Sequence, residues 1–570
     1  MNMFSALSAK APNKVFASIL LGTLAGIAYS LMIPIVVSSL SNDAVGFTFV
    51  NTEIRTFFTF EVANYDIARI FFINCIFILL ARTTSQITLM RVSMDVTTDL
   101  RVKLYHRISQ SPIDKLERLG SSRLIATITT DVGRIVEGAR MLPDLLMNIA
   151  TLIGMLGFLC FLNSEVFWFV LQAILIGGIS YQIPMLLGNR YFKRSRESVD
   201  ALQESIRGLI YGAKELKLNK GKRESYFKDV LLHHERAVLE ADKTGHTIIS
   251  AATNYGDLIS FFVIGVVAFI FVNYQSITSG ELIGTIMALL YITTPIAVVL
   301  NFAPTVIMAK ISLNKVNRLL EELPVEAAND EIQLIPQWQK ISFRNISFQH
   351  QSDNSAGFEL RAIDLEIEKN NITFIVGGNG SGKSTLSKLV TLHYTPSGGE
   401  IYFGDTKVTS ETLTTCRQSI SAIFSDYYLF DRILGNISVG KKDIINKYLR
   451  ELSLDKKVTI TDGHFSSTSL SDGQRRRLAL LVAFLEDKEL YVFDEWAADQ
   501  DPMFKETFYY HILPDLKAKG KAVLVISHDD RYFGAADKIL VMEDGQLVET
   551  ICDSTIISQM ASNRTMQDKF

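Results

Sequence analysis

A lysine and a hydroxyl at the end of a glycine-rich turn form a pair that can hold phosphate. Gly377-Gly378-Asn379-Gly380-Ser381-Gly382-Lys383-Ser384 has the spacing G-x-x-x-x-G-K-[ST], and Thr385 carries it into the next element. Glycines let backbone N–H groups converge on phosphate oxygens, and the helix that follows adds its positive N-terminal end. Lys383 can reach the β- and γ-phosphates, and the Ser384 hydroxyl can ligate Mg²⁺. The chemistry implied is nucleotide binding, with ATP and Mg²⁺ as the expected ligands.

Further along, Leu490-Tyr491-Val492-Phe493-Asp494-Glu495 is an apolar run ending in two acids. An Asp at the end of such a strand helps hold Mg²⁺, and the acid after it is placed to orient or deprotonate an attacking water. Between these motifs lies Ser471-Asp472-Gly473-Gln474 followed by Arg475-Arg476-Arg477. Ser471 can cap a helix there, and Asp472-Gly473 can expose N–H groups at its start. This second anion-binding terminus is expected to face the nucleotide of a partner domain. Ala522–Ile526 is another apolar run, and after Ser527 comes His528, which can donate a hydrogen bond to a γ-phosphate.

These residues need strands to carry them, and Ile341–Phe348 and Ile372–Val376 read as strands. The chain has 570 residues, more than one domain holds. Its first 310 residues are rich in long apolar runs, whereas the rest has charges spread throughout. A net charge of −3 offers no basic footprint for nucleic acid. Cys75, Cys160, Cys416 and Cys552 are scattered, without a C-x-x-C pair, so neither zinc nor a disulfide framework is indicated.

Six apolar segments are long enough to span a bilayer, near 15–40, 66–90, 141–163, 165–187, 250–273 and 280–308. The first lacks a small-residue cleavage site and reads as a retained helix. Lysine and arginine crowd two connections, from Arg82 to Arg134 and from Arg190 to Arg223. The positive-inside rule puts both in the cytoplasm, with both termini. Each has a turn-like middle, at 111–122 and 208–219, suited to touching a cytoplasmic engine. Polar or helix-bending residues inside the spans are candidates for substrate contact: Asn74, Asn148, Tyr181, Gln182, Pro184, Asn254, Asp257, Thr293, Thr294, Pro295, Asn301 and Pro304. The aromatic-rich loop 41–66 is expected to cover the outer mouth, to lie on the membrane surface, or to form a small helix packing its own rings.

Together these motifs make the chain resemble the ABC transporter superfamily over essentially its whole length. The implied architecture is multi-domain: an all-α six-helix transmembrane exporter domain at 1–310, a linker at 311–339, an α/β P-loop ATP-binding domain at 340–550, and a tail at 551–570. By motif, Gly377–Thr385 resembles Walker A, Leu490–Asp494 Walker B, and Leu470–Gln474 the signature. The resemblance implies a catalytic glutamate at Glu495, a D-loop at Ala498–Asp501, a switch histidine at His528, and an adenine-stacking role for His350. The turns near 111–122 and 208–219 resemble coupling helices. Asp494-Glu495-Trp496-Ala497-Ala498-Asp499-Gln500-Asp501-Pro502, Phe424–Phe430 and Gly212–Asn219 are similar to the cyclic-peptide exporter subgroup, which includes exporters of siderophore precursors, lipopeptides and a lasso peptide.

That resemblance implies an ATPase coupled to peptide export across a bacterial inner membrane. One membrane block and one nucleotide domain imply a homodimer, with Ser471 and Gly473 of one copy completing the site on Lys383 of the other. Membrane lipids and periplasmic or outer-membrane export partners fit the same picture. A lipid flippase, a multidrug pump, and an ATP-gated channel or sensor are the alternatives. Three departures stand out: Ser425 in place of the usual Q-loop glutamine, Asp472 in place of the first signature glycine, and His350 where an adenine-stacking aromatic is expected.

Overall fold

Strands as apolar as Leu490–Asp494 and Ala522–Ile526 must be covered on both faces. In the computed structural model, which describes residues 10–40, 55–57, 60–62, 64–274, 278–326, 336–349, 358–435, 442–553 and 557, both are buried along their whole length. Side chains alternate between two cores. Tyr491, Phe493, Val523 and Val525 enter one; Leu490, Val492, Leu524 and Ile526 enter the other, as the period of two in a strand requires.

The described strands here are β1 (Lys340–Gln349), β2 (Glu359–Glu368), β3 (Ile372–Gly377), β4 (Gly398–Phe403), β5 (Thr406–Lys407), β6 (Ile420–Ile423), β7 (Leu490–Asp494), β8 (Ala522–Ile526), β9 (Lys538–Glu543) and β10 (Gln546–Ile551). A six-stranded sheet runs in the order β10-β9-β3-β8-β7-β6, parallel except where β9 meets β10. A second, antiparallel sheet has the order β2-β1-β4-β5. The helix Lys383–Val390 buries Leu386, Leu389 and Val390 in the core between the sheets. The helix Asp472–Glu486 buries Leu478, Leu480, Leu481 and Leu485 in the core on the other face.

Contacts divide the chain into two units, Met1–His106 with Ser122–Glu321, and Arg107–Ser121 with Glu322–Phe570. The sheets belong to the second. So does the short helix Ile113–Leu119, whose segment is tied in where Ser111 Oγ donates to Pro324 O at 3.0 Å and Glu326 N to Gln110 O at 2.7 Å.

The first unit is helical and has six helical stretches long and apolar enough to cross a membrane. Three of its continuous helices, Tyr65–Ser109, Ser164–Tyr211 and Ser279–Glu322, have 45, 48 and 44 residues. At 1.5 Å per residue each measures roughly 66–72 Å, more than twice a bilayer's hydrocarbon core. Polar groups join them: buried Asp131 accepts from Ser312 Oγ at 2.8 Å, and Ser18 Oγ donates to Ser85 O at 2.7 Å.

Two expectations need correction. The linker placed at 311–339 is helical as far as Glu322. The physical reason is an apolar period that never breaks: Ala309, Leu313, Val316 and Leu319 are all buried. In loop 41–66 the described residues form an antiparallel pair, Arg55–Phe57 with Phe60–Val62, rather than a helix; residues 41–54 lie outside the described part. The side chains of Asp257, Asn301 and Pro304 also lie outside it.

Trp496 anchors the sheet's far core. It is 1% exposed, its ring lies 4.4 Å from that of Phe508, and its Nε1 donates to Arg476 O at 3.0 Å. Trp496→Ala should cost about 3–5 kcal/mol, read as a lower melting temperature of the purified protein. Trp496→Phe should cost much less, because it gives up the hydrogen bond and only part of the packing.

Candidate functional site

β3, β8 and β7 are neighbours, run parallel, and end level: Asp494 lies beside Ile526, and Ile526 beside Ile375. Their C-terminal ends therefore deliver the phosphate loop, His528 and the acids to one edge of the sheet. Ligands bind at such carboxyl ends in open α/β sheets.

The loop's shape depends on glycine. Gly382 caps the helix Lys383–Val390 at φ 100°, and a Cβ there would lie 2.6 Å from Phe358 Cζ. Lys383 Nζ donates to the carbonyls of Gly377 at 3.0 Å and Gly378 at 2.7 Å. Burial pulls its pKa below the usual lysine range, and the Glu495 and Asp494 carboxylates work against that pull. The Ser381 Oγ is buried without a partner among the described residues. Ser384 is exposed at the first turn, and Thr385 is half-buried.

Asp494 is 2% exposed, and its Oδ1 is likewise without a partner. Burial, then Glu495, then Asp426, pushes its pKa up to about 6, while Lys388 and Ser387 oppose the rise. An orphaned, dehydrated carboxylate oxygen suits a cation. Among the described residues, no group of three or more His, Cys, Asp or Glu could hold a metal alone. A cation there needs other oxygens, and the Ser384 hydroxyl and nucleotide phosphates are of the right type.

Glu495 occupies the left-handed region, φ 50° and ψ 28°, which is uncommon outside glycine. The surroundings fix it there. Its N–H donates to Ile526 O at 3.1 Å, and its carbonyl accepts from Arg476 Nη1 at 2.8 Å. Its Oε1 then lies 2.9 Å from His528 Nε2. The structure thus brings Glu495 and His528 together.

Ser471 is the N-cap of Asp472–Glu486, in a capping box with Gln474 that satisfies the backbone N–H of both residues. Gly473 is lodged against the segment after β7: a Cβ there would meet Asp499 O at 3.0 Å, and its own carbonyl accepts from Gln500 Nε2 at 3.0 Å. Among the described residues none of Ser471, Gly473 and Gln474 hydrogen-bonds to the phosphate loop. Asp472 pairs with Arg475 and is largely exposed, so its charge has a local partner. Ser425 lines a recess of about 330 Å³ with Tyr427, Asp472, Arg475 and Arg476. His350 lies outside the described residues, and Phe348 is committed to the core, stacked on Tyr394 at 4.8 Å.

Sequence reasoning passed over three groups. Arg476 reaches the carbonyls of Glu495 and Trp496 and pairs with Asp499 at 2.7 Å, so it ties the helix start to the segment after β7. Arg477 donates to Gln500 Oε1 at 2.8 Å and pairs with Asp501. The run of three arginines was the available signal. Lys388, on the phosphate-loop helix, donates to Glu117 Oε1 at 2.6 Å, and the Tyr394 hydroxyl donates to Glu117 Oε2 at 2.5 Å. The first cytoplasmic turn therefore meets the helix that holds Lys383.

Residues 360–498 match the family description "ABC transporter", and residues 15–296 match "ABC transporter transmembrane region". The chain is 32% identical over 473 residues to the ATP-binding protein SyrD of Pseudomonas syringae pv. syringae, covering 80% of this chain and 83% of that one. It is 24% identical over 495 residues to ATP-dependent lipid A-core flippase 1 of Colwellia psychrerythraea, covering 80% and 79%. Among solved structures, a bacterial Atm1-family ABC exporter with ATP bound superposes over 97% of both chains with a TM-score of 0.72, at 16% identity.

Asp494 supplies a pH test. A carboxyl raised from 3.8 to about 6 by folding weakens the nucleotide-free fold as pH rises from about 4 to 6, by up to roughly 3 kcal/mol. Asp494→Asn should raise the melting temperature of the nucleotide-free protein at pH 7.5, and that gain should shrink as pH falls toward 4. A gain that is the same at every pH would remove Asp494 as the cause.

Proposed function

The chain belongs to the ABC transporter family, and from that premise we propose that this ATP-hydrolysing exporter works as a homodimer and carries peptides out of the cytoplasm. The observation that carries the engine is the meeting of Glu495 and His528, 2.9 Å apart, beside the phosphate loop. Backbone N–H groups of Gly378–Thr385 would hold the ATP phosphates. Lys383, released from the Gly377 and Gly378 carbonyls, would meet the β- and γ-oxygens. Ser384 and Asp494 would hold Mg²⁺, which neutralises phosphate charge when bound. Glu495 would take the proton of the attacking water, and His528 would hold the Glu495 carboxylate and hydrogen-bond the γ-phosphate.

Ser471 and Gly473 would complete the site of a second copy. Their distance from hydrogen-bonding their own phosphate loop supports this reading, and so does the second cytoplasmic turn. Tyr211 and Leu218, at its edges, are 82% and 89% exposed in one copy. An exposure of that size on apolar side chains fits a protein partner.

The peptide cargo rests on the subgroup resemblance of Asp494–Pro502 and is supported by the 32% identity to SyrD over four-fifths of both chains. The flippase reading is kept by relatives of that name at 24% identity. The paired Glu495 and His528 favour a hydrolysing pump over a gated channel.

Glu495→Gln should lower ATP turnover by about 10²–10⁴-fold while ATP remains bound, and Lys383→Ala should abolish turnover. Full turnover by the glutamine variant would remove Glu495 as the base. For cargo, inverted vesicles containing the full chain should accumulate a peptide in an ATP-dependent way and leave lipid A unmoved. Lipid A transfer without peptide uptake would decide for the flippase.

A further inference from the structure

Two opposite charges line one recess of the membrane unit without neutralising each other. The recess, about 480 Å³, is walled by Arg82, Met141, Asp144, Asn148, Thr293, Thr294 and three apolar neighbours. Arg82 lies on the helix Tyr65–Ser109, Asp144 near the start of Leu142–Leu162, and the threonines on Ser279–Glu322. All three helices belong to stretches able to cross a membrane.

Charges in such segments are costly and mark a substrate path or a partner. Among the described residues Arg82 and Asp144 make no ion pair with each other. Arg82 donates to the Tyr29 hydroxyl at 3.2 Å and lies 6.0 Å from that ring. Asp144 accepts on Oδ1 from Gln86 Nε2 at 2.6 Å, which holds the carboxylate in place and leaves Oδ2 open. Asn148 Nδ2 is spent on Asp144 O at 2.7 Å and Thr293 Oγ1 donates to Leu289 O at 3.3 Å, so the Asn148 carbonyl oxygen, the Thr293 oxygen as an acceptor and the Thr294 hydroxyl remain as neutral partners. The volume lies within the roughly 300–1,000 Å³ of small-ligand pockets.

A cation and an anion fixed apart in one recess are complementary to a dipolar ligand. We propose that this recess binds a zwitterionic peptide, its carboxylate on the Arg82 guanidinium and its ammonium on the Asp144 carboxylate, with Thr293, Thr294 and Asn148 taking main-chain amides. The planar guanidinium can accept a carboxylate in two parallel hydrogen bonds, which a neutral or purely anionic lipid group would not balance with a bond to Asp144. The inference rests on the peptide-export reading and adds to it the charge pattern of the cargo.

The test uses the full chain in proteoliposomes and reads stimulation of ATPase activity by four probes. These are a short linear peptide of apolar residues with both ends free, its N-acetylated form, its C-amidated form, and lipid A. Each cap should raise the half-maximal concentration by about ten- to a hundredfold, the value of one charge-assisted hydrogen bond. In Arg82→Gln the free and amidated peptides should become equal while acetylation still matters. In Asp144→Asn the reverse should hold, and Arg82→Lys should recover part of the response to the free carboxylate. Free and capped peptides stimulating the original chain equally would overturn the recess as the site and leave peptide export standing. Stimulation by lipid A with no response to any peptide would overturn both.

Discussion

A carboxylate oxygen buried at a strand end without a hydrogen-bond partner is unfavourable until something positive reaches it, and Asp494 Oδ1 is such an atom. It is orphaned among the described residues, and the Asp494 pKa is pushed up to about 6. Nearby cations relieve it only in part, Lys388 among them. Lys383 is turned onto its own loop carbonyls, and Lys388 is held by Glu117. The dehydration of Asp494 is thus met by folding, so a metal ion arriving with nucleotide gains the attraction without that cost. The strain at Glu495 belongs to the same logic. A left-handed glutamate right after a buried aspartate lets one short segment aim two acids in different directions.

That segment is not held by its strand alone. Arg476 binds the carbonyls of Glu495 and Trp496, and Trp496 returns a hydrogen bond to the Arg476 carbonyl. The start of Asp472–Glu486 and the segment after β7 are therefore one rigid piece. Whatever engages Ser471 and Gly473 is felt at Glu495 through two short links. On the phosphate-loop side, Glu117 reaches Lys388 and Tyr394, so the first cytoplasmic turn bears on the helix that presents Lys383. Ser425 cannot reach as a glutamine would. Asp426 beside it is nonetheless felt electrostatically at Asp494, which keeps a path between that loop and the metal position.

What could be read from the sequence was local in cause. The phosphate loop, the acids after β7, the cap at Ser471 and the histidine after β8 each follow from a few consecutive residues, and the spans follow from apolar length. Contacts between distant segments were not legible. Lys388 and Glu117 are 271 positions apart, and nothing near either announces the other. Arg476 and Glu495 are 19 apart, and a run of three arginines reads as a solvated face until the fold turns one of them inward. The misplaced linker shows the opposite failure. There the signal was present, in Ala309, Leu313, Val316 and Leu319, but hydropathy falls while helical period continues, and length of apolar run was the criterion used.

Ser471 spends its hydroxyl on the N–H of Gln474, and Gly473 is wedged against Asp499 and Gln500. Among the described residues neither hydrogen-bonds to the phosphate loop of its own chain; Gly473 is positioned by the segment that follows β7, and Ser471 by its capping box with Gln474. A helix start fixed in this way has a positive end, and the one acid there, Asp472, is turned to Arg475. Such a terminus attracts phosphate from outside. In the proposed dimer, the γ-phosphate held by one copy would meet a surface whose placement reports the state of Glu495 in the other. In that proposed arrangement two ATP sites would not act independently, because in each chain Arg476 ties Glu495, on one site, to the helix start that would complete the other.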